Sequence, residues 1–186
     1  MRIGLISDTH IPEAGPQLPP QVYRALQGVD LILHAGDMHI IDVLDWLEEV
    51  APVMAARGNG DYPPKLGYSA SPSRPGVPDD PRVRESHVLR VDGLTIGLTH
   101  GFPELDEMDE GRLGPLMDLK FGGPVDVIVC GDTHIERVME WDGILMVNAG
   151  SPTLPHQFHR LGHVALLDTD HGRPHARIVS LKDVPV

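Results

Sequence analysis

Residues 2–11, RIGLISDTHI, end on a tetrapeptide that returns at residues 132–135 in VDVIVCGDTHIERV (125–138). Each DTHI follows an apolar run rich in β-branched residues. Such a run reads as a short buried strand, and the polar group after it reads as a turn at the strand end. Two strands that stop in the same Asp-Thr-His turn pose the question of whether this is chance, a duplication or two halves of one site.

Outward from the first copy, PPQVYRALQG (19–28) places Val22, Tyr23 and Leu26 at helical spacing, with a Pro entry and a Gly exit. DLILHAG (30–36) is a second buried strand. IIDVLDWLEEV (40–50) puts Ile40, Val43, Leu44 and Leu47 on one helical face, and PVMAARGN (52–59) is a third strand. Strand–helix–strand–helix–strand is the pattern of a parallel layer. Residues 62–85, rich in Pro and Ser, read as one long loop that gates or flanks whatever lies beside Asn59.

Outward from the second copy the style changes. HVLRVDGLTIGLTHG (87–101) and ERVMEWDGILMVNAG (136–150) each join two apolar runs through Asp-Gly, a tight-turn signal. GHVALLDTDHGRPHARIVSL (162–181) is a third hairpin, and a helix is expected near 105–120. The expectation is an α/β fold of mixed sheets, parallel early and antiparallel late, in a single domain spanning 1–186.

Composition narrows the function. The chain has 186 residues, enough for one real core, and its net charge of −12 argues against bulk nucleic-acid or anionic-membrane binding. A small phosphate substrate remains compatible, since a bound cation reverses the local sign. One cysteine, Cys130, rules out an internal disulfide. No run is long enough to span a membrane, and the N-terminus enters a strand directly, so a cytoplasmic protein is expected.

Metal-binding side chains recur at strand ends: Asp8 and His10, Asp37, Asn59, His100, Asp132 and His134. The carboxyl ends of strands in an α/β sheet share one edge, where ligands bind. Asp and His two apart on an extended turn point the same way. Asp37, with two carboxylate oxygens, is able to bridge two cations. Nitrogen and oxygen donors without thiolate suit Mn, Fe, Zn, Ni or Co.

In their order and spacing, DTH, GD, GN, THG and GDTH resemble the motifs of the calcineurin-like metallophosphoesterase superfamily. The short chain is similar to the small prokaryotic phosphodiesterase branch of that superfamily, related in turn to the retromer scaffold subunit of eukaryotes. The resemblance spans residues 2–180 and implies a sandwich of two mixed β-sheets flanked by helices. It implies two divalent metal ions, with Mn foremost here and Fe, Ni, Co, Zn or Mg as alternatives. Asp8, His10, bridging Asp37 and His134 would hold the first ion, and Asp37, Asn59, His100 and residue 132 the second. Asp37 and Asn59 would serve catalysis, and a hydroxide bridging the two ions would attack a small phosphate ester, most simply a diester. The rival reading is a weakly active or non-catalytic scaffold with the same fold. A homo-oligomer is also compatible.

Four positions depart from the family pattern. Gly60 stands where many members carry a His that protonates the leaving group. Asp132 replaces the first His of GHTH. Phe102 replaces a His after THG. Ala149 replaces Pro in the Asn-Pro-Gly-Ser turn, here NAGS (148–151), and is expected to loosen it.

Each of these residues has a plainer reading. Asp8-Thr9-His10 alone is a turn or helix cap, Asp37 a strand-end turn, Asn59 a left-handed turn, and His100 a strand cap. His34 reads as a packed strand residue and Cys130 as core. His39, Asp61, Asn148, Ser151 and His156 are candidates to contact substrate or support the ligands. His156 and His159 stand equally as substrate-facing or surface-loop residues.

Overall fold

Along β1 (Arg2–Ile6) the side chains alternate between two apolar environments, so both faces of the strand are covered. Ile3 and Leu5 enter a core shared with the second sheet, while Ile6 packs with Val22, Leu26 and Leu44 beneath the helices. The computed structural model describes residues 1–63, 75–104, 106 and 111–186.

The other elements are α1 (Pro20–Ala25), β2 (Leu31–His34), α2 (Asp42–Glu48), β3 (Val53–Ala56), β4 (Val83–Arg84), β5 (Ser86–Val91) and β6 (Leu94–Thr99). They continue with α3 (Leu113–Phe121), β7 (Val127–Cys130), β8 (Glu136–Trp141), β9 (Ile144–Ala149), β10 (His163–Asp168) and β11 (His175–Ser180). One sheet has the order β11-β10-β1-β2-β3-β4 and the other β5-β6-β7-β9-β8. A third apolar cluster, with Met117, Ile128 and Met146, lies between the second sheet and α3. The layers are therefore helix, sheet, sheet, helix, as expected of two mixed sheets flanked by helices.

Two expectations about the strands are corrected. Pairing is not simply parallel early and antiparallel late, as the third hairpin, β10–β11, shows. The hairpin pairs antiparallel with β1, in register Gly4↔Leu166, and so extends the parallel layer of the first half. The second sheet in turn holds parallel pairs, β6–β7 and β7–β9. The segment 62–85 is not loop throughout: Val83 and Arg84 pair in parallel with Ala55 and Ala56 as an edge strand. Residues 64–74 of that segment lie outside the described residues, as do 105 and 107–110 of the helix expected near 105–120, whose described part is α3.

The Asp-Gly turns form as read. Asp92 and Gly93 have φ of 49° and 84°, and Asp142 and Gly143 have 49° and 76°, the left-handed pairs that match the twist of a two-residue hairpin. Phe102 is buried and stacks on Phe121, with ring centroids 6.0 Å apart. This departure from the family pattern serves packing. No helix among the described residues is long and apolar enough to cross a membrane.

Candidate metal centre

Every ligand candidate follows the carboxyl end of a strand: Asp8 and His10 follow β1, Asp37 β2, Asn59 β3, His100 β6, and Asp132 and His134 β7. The two sheets present these ends at one edge. Backbone bonds tie the loops together, with Asp8 N donating to Gly36 O, His10 N to Asp37 O, and Gly131 N to His100 O.

The turns are not extended, as simple alternation of side chains suggested. Three Asp-x-His turns share one conformation: φ is 53° and 49° at Asp8 and His10, 56° and 71° at Asp37 and His39, and 75° and 59° at Asp132 and His134. Asp and His enter the left-handed region more readily than most residues, though each such residue costs of order 1–3 kcal/mol. The result is a curl that turns the side chains inward.

That curl is fixed by buried side-chain hydrogen bonds. Asp61 has no exposed surface, and its carboxylate accepts the backbone N–H groups of Asp37, Met38, His39 and Gly58 at 2.8–2.9 Å. Ser151 Oγ donates to Asp8 O at 2.7 Å, and Thr153 Oγ1 donates to Thr9 O at 2.8 Å. Asn148 donates to Gly131 O and Thr133 Oγ1. The NAGS turn thus pins both DTHI turns, one through each end. Ala149 sits in the strand ladder opposite Glu136. Close approach also explains the glycine before Asp132: a Cβ on Gly131 would lie 1.9 Å from Ser7 Oγ.

Within this frame the donors converge. Asp8, His10 and His134 place ligand atoms within 4.8 Å of one another, as do Asp8, Asp37 and His100. His134 Nε2 is 3.6 Å from Asp8 Oδ1, and His10 Nε2 is 3.5 Å from Asp37 Oδ2. On the other side, His100 Nε2 is 3.5 Å from Asp37 Oδ1, 3.4 Å from Asp132 Oδ1 and 3.1 Å from Asn59 Oδ1. With metal–donor distances of about 2.0–2.2 Å, neighbouring donors stand about 3–3.5 Å apart, so these spacings fit the edges of a coordination shell.

The second ring nitrogens are occupied from behind. His100 Nδ1 lies 2.7 Å from Ala35 O, and His134 Nδ1 lies 2.9 Å from Leu154 O. Such carbonyls hold the Nδ1–H tautomer and aim Nε2 forward. Electrostatics point the same way. Burial pushes the Asp8 carboxyl up to about 7, against the opposing pull of His100 and the Ser7 hydroxyl. Burial opposes charging of His100, but Asp8 and Asp37 outweigh it and raise its pKa. A group of buried carboxylates this crowded is suited to a cation.

The remaining candidates divide. His39 is buried beside His10, with ring centroids 4.3 Å apart, and its Nδ1 lies 3.6 Å from Glu13 Oε2. His156 is not brought to the cluster; its Nε2 lies 3.0 Å from Glu136 Oε2, although its backbone N–H donates to His134 O. His34 is packed between Thr9 and Gly36, and burial lowers its pKa to about 3. Cys130 is buried in the core. Sequence reasoning did not single out Ser7, Glu13, Thr153 or the carbonyls of Ala35 and Leu154. Carbonyls leave no residue-type signal, and the others are ordinary turn residues.

A model of the calcineurin-like phosphoesterase superfamily domain matches residues 1–172. The chain belongs to that superfamily. A probable metallophosphoesterase of Methanothermobacter thermautotrophicus is 36% identical over 157 residues, covering 83% of this chain and 79% of that protein. Among solved structures of this phosphoesterase fold, an archaeal phosphodiesterase aligns with a TM-score of 0.62 and 23% identity, over 96% of this chain and 100% of the other. Vps29 of Entamoeba histolytica, complexed with zinc, aligns with a TM-score of 0.63 and 21% identity, over 97% and 99% of the two chains. The last two likenesses concern the fold.

Proposed function

We propose that the protein is a metal-dependent phosphodiesterase working with two divalent cations. One observation carries this reading: the two oxygens of Asp37 face different histidines, Oδ2 toward His10 and Oδ1 toward His100, each at 3.5 Å. A carboxylate so placed is suited to bridging two ions. Asp8, His10 and His134 would complete the first shell, and Asn59, His100 and Asp132 the second. When bound, the two cations supply Lewis acidity, lower the pKa of a coordinated water and neutralise charge developing on phosphate.

The chain's own residues set the rest. Asn59, on the one-turn helix Asn59–Asp61, is positioned to hold a phosphate oxygen as well as an ion. The carboxylates of Asp8, Asp37 and Asp132, set against two divalent cations, leave one net positive charge, and none once a coordinated water ionises to hydroxide. That balance suits a diester, which carries one negative charge, better than a dianionic monoester. The structural likeness to an archaeal phosphodiesterase supports the same choice. Asp132, a hard anionic ligand in place of His, favours Mn or Mg over Zn.

Proton donation to the leaving group is weak in this arrangement. Gly60 has no side chain, and the neighbouring His39 has no exposed surface. General acid catalysis is typically worth ~10²–10⁴-fold, so aryl alcohols should leave much faster than alkyl alcohols. Hydrolysis of bis(4-nitrophenyl) phosphate by protein loaded with Mn, Ni, Co, Zn or Mg tests the reading. A steep fall in rate as the leaving-group pKa rises is expected. No turnover with any metal would favour the scaffold role instead.

A further inference from the structure

A cavity of about 270 Å³ opens beside the second ligand group. Asn59, His100 and Asp132 line it together with Arg57, Tyr62 and Lys120. Its polar lining suits a short alcohol that carries polar groups.

The polar groups of this cavity are unequally engaged. Arg57 Nη1 donates to Val77 O at 2.7 Å and Nη2 to Pro78 O at 3.2 Å, so its guanidinium holds the chain after the described part of the loop resumes. Glu85, also in the wall, accepts the Tyr62 hydroxyl at 2.6 Å. Lys120 differs. Its backbone carbonyl accepts Ser86 Oγ–H at 2.7 Å, which fastens the last turn of α3 to β5, but its ammonium makes no ion pair or hydrogen bond among the described residues. The side chain is half-buried in a chain of net charge −12, where a cation ordinarily finds a carboxylate.

We propose that this cavity binds the leaving half of the substrate, and that Lys120 selects a short alcohol carrying a second anionic group, a carboxylate or a phosphate. The inference rests on the phosphodiesterase reading, because it places the scissile phosphate at Asn59 and His100. The ammonium then pairs with the distal anion at the half-buried cavity wall. A charge-assisted bond of this kind is worth ~1.5–3 kcal/mol, hence about tenfold or more in affinity.

The test is calorimetric titration of the Mn²⁺-loaded protein with methyl phosphodiesters of hydroxyacids of one to three methylenes. Each is compared with the methyl alkyl phosphodiester of equal length. At least one acid should bind about tenfold tighter than its alkyl partner. The advantage should fall to near unity in Lys120→Gln and return in part in Lys120→Arg. Alkyl phosphates that bind with no carboxylate advantage, or an advantage that survives in Lys120→Gln, would overturn the Lys120 assignment and leave the phosphoesterase reading standing. Failure of both series to bind would overturn both.

Discussion

The ring of His39 occupies the space that a side chain on Gly60 would need: a Cβ on Gly60 would lie 2.5 Å from His39 Nε2 and 3.1 Å from Asp37 Oδ1. The glycine after Asn59 and the histidine two residues after Asp37 are therefore one feature. A side chain from the Asn59 turn and the His39 ring exclude each other.

Gly60→Ala should accordingly displace His39 and crowd Asp37. Overpacking of this kind costs about 1–3 kcal/mol. His39→Ala should restore most of that loss in the double variant. Thermal unfolding of the four proteins of the cycle measures the coupling, and strictly additive effects would show that the two sites do not compete for space.

Asp37→Asn should leave a folded protein with activity at least ~10²-fold lower, since both ions depend on that charge. Its backbone is held by Asp61 whichever side chain is present. Circular dichroism and metal analysis accompany the assay. Near-normal turnover in a folded Asp37→Asn protein would remove the two-metal reading.

Asp61 is expected to matter almost as much without touching an ion. Asn in its place keeps one acceptor oxygen and turns an amide toward backbone N–H donors. Two of the four bonds are then lost and their donors stay buried. Asp61→Asn should cost about 2–4 kcal/mol of stability and 10–100-fold in metal affinity. Affinity unchanged by calorimetry would mean that the curl of the Asp37 turn is held by other contacts.

Part of this architecture was legible in the sequence. Asp and His at strand ends, Asp-Gly at hairpins and apolar faces at helical or alternate spacing are local signals, and the strands and ligand candidates they mark are where the reading put them. Other features depend on contacts between distant residues. Nothing in Val83-Arg84 distinguishes a two-residue edge strand from loop, because its strand character comes from pairing with Ala55 and Ala56. The β10–β11 hairpin has the same pattern whichever sheet it joins. The left-handed curl of the Asp-x-His turns is held by side chains 20 or more residues away, chiefly Asp61, which accepts backbone N–H groups, and Ser151, which donates to Asp8 O. The His39–Gly60 exclusion is invisible until the two turns meet.

Metal binding should strengthen with pH in a way set by Asp8. Burial raises its folded pKa to about 7, above an unfolded value of about 3.9. In the metal-free protein this contribution to stability is full below the unfolded value and is lost as pH rises through about 7. A cation displaces that proton, and His100, also raised, acts in the same direction. The gain in Tm on adding Mn²⁺ should therefore grow from pH 5 to about 7 and then level off. A gain that is flat or shrinks over that interval would contradict protonation of these ligands in the metal-free protein.

The two DTHI turns are two halves of one site, and they differ in what their Asp does. Asp8 is buried, and both its oxygens receive the backbone N–H of Asp132 at 3.1–3.2 Å, so one turn grips the other. Asp132 has a side chain 54% exposed, with Oδ1 3.4 Å from His100 Nε2. It stands at the exposed side of the second ligand group, where a His would reach further and bring no charge. As a ligand, an anionic oxygen there would lower the net positive charge of the second position and favour a hard ion. Asp132→His should raise affinity at that position for Zn²⁺ or Ni²⁺ relative to Mn²⁺ and shift the metal preference of catalysis the same way. Because Asp132 touches Asp8 through its backbone N–H, the first position should be little altered. Calorimetric titration of both proteins with each metal decides the matter. Equal stoichiometry and affinity for every metal would mean that residue 132 is not a ligand, and that the selectivity of the second position lies with Asn59 and His100.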